Sequence, residues 1–408
     1  MKMLWTDYLS ALARVRGLAK PVCFLRLLAA LLITLATAYS AELPAPTGPY
    51  PVGRTIRHWT DPSRRTPGQA LVRPLNASIY YPADAHAEAK PAPYISEFEL
   101  IKRAGVLSQK EAELLATTRP HCILDPPLAN STGSFPVVVF SPGNTMNAAM
   151  YSCLLEELAS HGFIVAALDH PGEARAFVTE ELAVIKYAEE KPASGARPFE
   201  NIAREKIAGR VQDIAFALKK LTELNVQQDS RFHDRIKVGA SGLFGHSMGG
   251  IAAAQAASEL PDIAASLNMD GALGTLPFIP DSAGKGPARP FMLLAKPFLE
   301  PTAEELKRLG MSKEKVIAAR SKVAEHINEL MASTPAEKYR VTIARARHNS
   351  FSDELLLAGE PGAKERLAIT RAMLLAFFQK HLVHASSPLL DGPNQSADYD
   401  LKRFPTAQ

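Results

Sequence analysis

Gly245-His246-Ser247-Met248-Gly249-Gly250 separates two stretches of opposite period. Before it, Ile236-Lys237-Val238-Gly239-Ala240-Ser241-Gly242-Leu243-Phe244 reads as a strand. After it, Ile251 to Ser258 is an Ala-rich helical run. Gly-x-Ser-x-Gly between a strand and a helix is the setting of a nucleophile elbow, a turn so tight that the serine backbone is strained and its hydroxyl stands exposed. Glycines two residues either side leave room for the crossing strand and helix. The same hexapeptide also occurs in Gly-rich connections without chemistry, so its neighbours have to decide the reading.

Outward from the elbow, strands and helices alternate. Phe135-Pro136-Val137-Val138-Val139-Phe140 is a continuous apolar run, as expected of a strand covered on both faces. It leads through Ser141-Pro142-Gly143-Asn144-Thr145 into a helix over 148–161, and 162–168 is the next buried strand, ending at Asp169-His170. Arg204 to Leu224 has the spacing of an amphipathic helix, with Val211, Ile214, Ala215, Leu218 and Leu221 on one face. Further strands are expected at 264–269, 289–295 and 339–346, and a closing helix at 367–381. Two antiparallel strands, 52–59 and 71–81, open the sheet, and Ser108 with Glu111 makes a capping box. This is an α/β class chain with a mostly parallel central sheet and helices on both faces, in one domain over residues 48–382. The charged helical stretch 301–332 reads as an insertion, a lid candidate, and the tail 386–408 reads as polar and loose.

Composition narrows the partners. The chain has 408 residues, 47% hydrophobic and 22% charged, with a net charge of +4. Residues 1–41 hold five basic residues against Asp7 alone, so the rest balances 41 basic against 41 acidic residues. A neutral body gives no reason to expect nucleic acid or an anionic membrane as partner. The N-terminal charges precede an apolar run of about twelve, Leu27 to Ala38, and then small residues, the pattern of a signal peptide. The run is short for a bilayer span, so secretion or periplasmic export is expected over an uncleaved membrane anchor. Export would leave Cys122 and Cys153, which could pair as a disulfide or stand as two buried thiols.

A serine hydroxyl is a weak nucleophile until a base takes its proton, and the base needs an orienting carboxylate. On such a sheet the partners follow in the order Ser, Asp or Glu, His, each just past a strand's carboxyl end. Asp270, closing the strand 264–269, and His348, after the strand 339–346, meet both conditions. Asp169 and His170 also stand at a strand end but precede the serine, so His170 is read as a pocket or supporting residue. His246, within the elbow, points away from the reacting atom and is read as packing. An oxyanion hole needs two backbone N–H groups, here those of Met248 and Asn144, with Gly143 and Thr145 shaping the loop and lining the pocket.

At these residues the chain resembles the platelet-activating factor acetylhydrolase family and its bacterial dienelactone-hydrolase-like relatives. The matching stretches are 48–53, 75–82, Ala159-Ser160-His161-Gly162-Phe163-Ile164-Val165-Ala166, 210–218, the elbow 245–250, and His348-x-x-Phe351-x-Asp353. The resemblance implies an α/β-hydrolase fold, Ser247 as nucleophile, Asp270 as acid, His348 as base, and Phe351 near the pocket. It further implies ester substrates with short or modified acyl groups, no cofactor and no metal. Dienelactone hydrolases proper use cysteine, so Ser247 argues against that reaction. Pro142 stands where the acetylhydrolases carry a His, and the Pro142-Gly143 loop also resembles that of polyester hydrolases and cutinases.

The expected activity is serine-dependent hydrolysis of a small-molecule or lipid ester through an acyl-enzyme. Membrane contact would come through the N-terminus or a lipid substrate. The alternatives are a polyester or cutin-type hydrolase, an acyltransferase using the same residues, and, more remotely, a non-catalytic binding protein of the same fold. Oligomeric state is not legible.

Overall fold

The run Phe135 to Ser141 is buried except at the half-buried Pro136, with side chains divided between two cores. Val138 and Phe140 join one, and Val137 and Val139 the other. That division is the period of two expected of a strand covered on both faces. The computed structural model describes residues 43–66, 71–84, 90–187, 199–273, 287–393 and 396–404, the side chains of 199 and 200 excepted. The expected signal segment 1–41 lies outside the described residues.

In chain order the strands are β1 (Val52–Arg65), β2 (Val72–Pro82), β3 (Ile123–Leu124), β4 (Phe135–Ser141) and β5 (Ile164–Asp169). A small hairpin follows, β6 (Ala176–Val178) and β7 (Val184–Lys186), and then β8 (Ile236–His246) and β9 (Ile263–Met269). β10 (Phe291–Ala295), β11 (Lys338–Ile343) and β12 (Tyr399–Phe404) complete the set. Ten of them form one sheet, ordered β12-β11-β10-β9-β8-β4-β5-β2-β1-β3. From β11 across to β5 every neighbour is parallel; β12 pairs antiparallel with β11, β2 with β5 and β1 with β2, and the short β3 lies parallel to β1.

The helices Ser152–Ser160 and Ala363–Leu382 cover one face, and Phe199–Val226 and Met248–Glu259 the other. Leu367, Leu374, Phe377 and Phe378 of the closing helix are buried. Each such side chain stabilises the fold by about 1.5–3 kcal/mol. Because β4 and β8 are adjacent while the chain reaches β8 only after β5, the sheet changes winding direction there. The elbow and the loop after β4 stand together at this switch point, where open α/β sheets bind ligands.

Two expectations need correction, and the alternative left open for the two cysteines is decided. Residues 399–404 are not loose: they form β12, paired with all of β11 from Lys338 to Ile343. Only Tyr399, Leu401 and Phe404 carry the apolar pattern, too little to read without the buried partner strand. The helix Lys313–Ala332 is not an insertion. It makes the crossover between the parallel strands β10 and β11, and Ile327 and Met331 pack with Phe291, Leu293 and Phe404. What remains additional is the short helix Ala303–Leu309, none of whose residues is buried. Cys122 and Cys153 are free buried thiols. Each faces its own buried carboxyl, Glu156 and Asp353 respectively, and burial pushes both thiols far up from their ordinary range.

No helix among the described residues is long and apolar enough to cross a membrane.

Candidate active site

Ser247 stands between β8 and the helix Met248–Glu259 at φ 54° and ψ −121°, a region that costs an ordinary residue about 1–3 kcal/mol. Its surroundings hold it there: its N–H donates to the Met269 carbonyl at 2.8 Å, and its own carbonyl accepts from Gly250 and Ile251. The flanking glycines are required by contact. A Cβ on Gly245 would lie 2.3 Å from the backbone of Gly249, and one on Gly249 would lie 2.1 Å from the Ser141 carbonyl oxygen.

Asp270 follows β9 and His348 follows β11, and both reach the serine. His348 Nε2 lies 2.9 Å from Ser247 Oγ, and Nδ1 lies 2.6 Å from Asp270 Oδ2. An ionised carboxylate only accepts, so Nδ1 carries the proton and the bare Nε2 accepts from the serine hydroxyl. Burial alone would raise the Asp270 carboxyl. The hydrogen bond from His348 and the Lys296 ammonium outweigh it and hold the group below the usual carboxylate range.

The loop after β4 is fixed plane by plane. The Pro142 carbonyl accepts from Arg210 Nη1. Gly143 N–H donates to Tyr151 Oη at 3.1 Å, and the Gly143 carbonyl accepts from Met146 N–H at 3.2 Å. Thr145 N–H donates to the Glu173 carbonyl at 2.9 Å. These bonds set the plane between Gly143 and Asn144, whose own N–H has no backbone acceptor among the described residues. Met248, the first residue of its helix, has no carbonyl a turn behind it in that helix.

His170 lies beneath this loop and away from the cavity. Buried and kept neutral by desolvation and by Arg210, it donates from Nδ1 to Asp213 at 2.8 Å and accepts at Nε2 from Ser141 Oγ at 2.9 Å. Asp213 also takes two bonds from Arg73, and Arg210 reaches Glu173 at 2.8 Å. Phe351 likewise packs in the core under the His348 turn, 6.1 Å from the His246 ring, and does not line the cavity. Gly143 and Thr145 build the loop without forming a wall of the cavity. His246 is hydrogen-bonded at both ring nitrogens, so the expectation of simple packing falls. Lys296, one residue past β10, was legible by position at a strand end. Tyr151 carried no local signal.

Ser247, Asp270 and His348 open on a cavity of about 390 Å³, walled largely by apolar residues, among them Ile207, Ile251, Leu293, Phe298, Val323 and Ile327.

The family model of platelet-activating factor acetylhydrolase, isoform II, matches residues 35–385. The chain belongs to that family. It is 26% identical over 384 residues to a protein of Arthroderma benhamiae named probable 1-alkyl-2-acetylglycerophosphocholine esterase, covering 86% of this chain and 91% of that protein. It is 25% identical over 280 residues to the platelet-activating factor acetylhydrolase of Canis lupus familiaris, covering 61% of this chain and 57% of that one. A ferulic acid esterase from Streptomyces cinnamoneus superposes with a TM-score of 0.65 at 25% identity, over 87% of this chain and 97% of the esterase. This member of the acetylhydrolase family is an ester-hydrolysing enzyme with the α/β-hydrolase fold.

Proposed function

We propose that the enzyme hydrolyses carboxylic esters through an acyl-enzyme on Ser247, acting on a lipid or small ester whose apolar part fills the cavity beside it. The observation that carries this reading is the pair of contacts at His348, 2.9 Å to Ser247 Oγ and 2.6 Å to Asp270 Oδ2, at the mouth of that cavity. His348 Nε2 takes the hydroxyl proton as Ser247 Oγ attacks the ester carbonyl. Asp270 keeps the imidazole in the required tautomer and stabilises the imidazolium that forms. The Met248 and Asn144 N–H groups bind the oxyanion, an effect worth about 10²–10³ in rate per donor. The imidazolium then protonates the departing alcohol, and water enters by the same base to release the acyl group.

The names of the relatives support a 1-alkyl-2-acetylglycerophosphocholine-like ester as one substrate, and the ferulic acid esterase likeness supports an aromatic acyl ester as another. Secretion or periplasmic export is part of the reading and rests on the basic, apolar and small-residue order of residues 1–41. N-terminal sequencing of the mature protein tests it.

Ser247→Ala should lower turnover of p-nitrophenyl acetate by about 10⁵-fold or more with the fold intact. Near wild-type turnover by that variant would refute the assignment. A p-nitrophenyl chain-length series, run beside an acetylated ether phospholipid and methyl ferulate, separates the substrate classes.

A further inference from the structure

His246 is buried between the two halves of the site and belongs to neither. Its Nε2 lies 2.8 Å from the backbone carbonyl oxygen of His348, and its Nδ1 lies 2.7 Å from Tyr151 Oη. Tyr151 Oη in turn accepts the Gly143 N–H at 3.1 Å. The rings of His246 and His348 stand 4.6 Å apart.

Only one arrangement of protons satisfies all of these contacts. A carbonyl can only accept, so Nε2 must carry a proton. Burial, and then the neighbouring His348, bring the His246 imidazolium down to about pH 3, so the ring is neutral in the working enzyme. A neutral ring with a proton on Nε2 has a bare Nδ1, and the single Tyr151 O–H must donate to it. Met146 Sδ, 2.9 Å from the same hydroxyl, is the weaker acceptor and loses. The hydroxyl oxygen is left to accept from Gly143. The chain therefore runs in one direction, from Gly143 N–H through Tyr151 and His246 to the carbonyl of His348. There is no slack in it: a Cβ on Gly143 would lie 3.1 Å from His246 Nδ1 and 3.3 Å from Tyr151 Oη.

We propose that His246 is a positioning residue, which with Tyr151 ties the oxyanion loop to the turn bearing His348 and so fixes the separation between the oxyanion donor and the base. Neither His246 nor Tyr151 touches the reacting atoms. They set the register of two loops that follow different strands, β4 and β11, and that make separate contributions to one transition state. The inference rests on the roles proposed above for Ser247, Asn144 and His348.

Its test is a set of variants assayed with p-nitrophenyl acetate, each at a temperature where its near-UV circular dichroism is native. Displacement of catalytic groups by a remote change costs up to about 10²-fold. His246→Phe should accordingly lower kcat by about 100-fold, with KM within about threefold. Tyr151→Phe, which removes the bonds to both Gly143 and His246 Nδ1 but leaves His246 on the His348 carbonyl, should lower it by about tenfold. The double variant should be no slower than His246→Phe alone, because both changes break one chain. His246→Gln puts an amide N–H where Nε2–H was and should recover about tenfold over His246→Phe. Phosphonylation of Ser247 by a fluorophosphonate should slow in the same order. If His246→Phe does not fold, Tyr151→Phe and His246→Gln decide the question.

Folded variants with kcat within threefold of wild type would overturn the proposal while leaving the proposed function standing. So would multiplicative losses in the double variant. Failure of the wild-type enzyme to label at Ser247 would overturn both.

Discussion

Lys296 Nζ lies 2.7 Å from Asp270 Oδ2, the same oxygen that accepts from His348 Nδ1, while the Lys296 N–H reaches Oδ1 at 3.2 Å. One residue past β10 thus grips both oxygens of the carboxylate that orients the proposed base. The Lys296 side chain is 44% exposed, so water and salt weaken its ion pair, and such pairs contribute about 0–1 kcal/mol to stability. Lys296→Met should therefore shift Tm by no more than about 2 °C. Its kcat should fall by roughly threefold to tenfold, because the carboxylate loses one of two anchors on Oδ2 and keeps the backbone one. Asp270→Asn should cost about 10⁴ in kcat by supporting the wrong tautomer. Equal losses in the two variants would mean that Lys296 does more than anchor.

Asn144 contributes through its backbone in the proposed mechanism. Among the described residues its side-chain amide reaches only the Tyr187 hydroxyl, at 3.4 Å. Asn144→Ala should lower kcat by less than about threefold, well short of the 10²–10³ expected for losing an oxyanion donor. A loss of that larger size on p-nitrophenyl acetate would move the donor from the main chain to the amide.

Gly249→Ala should damage both stability and turnover. The added Cβ would meet the Ser141 and Pro142 carbonyl oxygens at 2.1 and 2.4 Å, and both are backbone atoms leading into the loop of the proposed oxyanion donor. Thermal unfolding and kcat should both fall, kcat by about tenfold or more. Gly133→Ala, with nothing within 4 Å of the new Cβ, serves as the control and should be silent in both assays.

Asp353 gives the fold a pH dependence of unusual sign. Burial raises its carboxyl to about 7, against partial compensation from Cys153 and Tyr94. Between the unfolded value near 4 and the folded value near 7, the native state holds a proton that the unfolded state has lost. Stability therefore falls as pH rises across that window, by an amount on the order of a few kcal/mol, and levels off above it. Glu157 acts in the opposite sense. Burial would raise it, but His161, Thr47 and Arg371 bring it down to about 2, so its contribution is lost only as the solution is acidified below about 4. Tm measured from pH 4 to 8 should decline for the wild type and decline less for Asp353→Asn. Parallel curves would show that Asp353 is not the source.

The elements most legible in the sequence were those whose signal is local. The apolar run Phe135 to Phe140 announced a strand covered on both faces, and the elbow at Ser247 announced its own turn. The order of Ser247, Asp270 and His348 could be read because each stands at the end of a strand that is itself recognisable. What escaped was carried by pairing between distant segments. β12 has three apolar residues in six and becomes a strand only against β11. His170 had a strand-end position like that of Asp270, yet it turns down to Asp213, a residue on a helix that gives no such signal.

By itself the sequence determined the α/β architecture and pointed to the serine, carboxylate and imidazole of the proposed site, because period, turn chemistry and chain order are properties of neighbours along the chain. Tertiary structure alone decided how those groups are held. Tyr151 to His246 spans 95 positions, His246 to His348 spans 102, and Lys296 reaches back 26 to Asp270. A hydrogen bond depends on distances of a few tenths of an ångström and on which atom holds the proton, and no spacing in the chain encodes either across such separations.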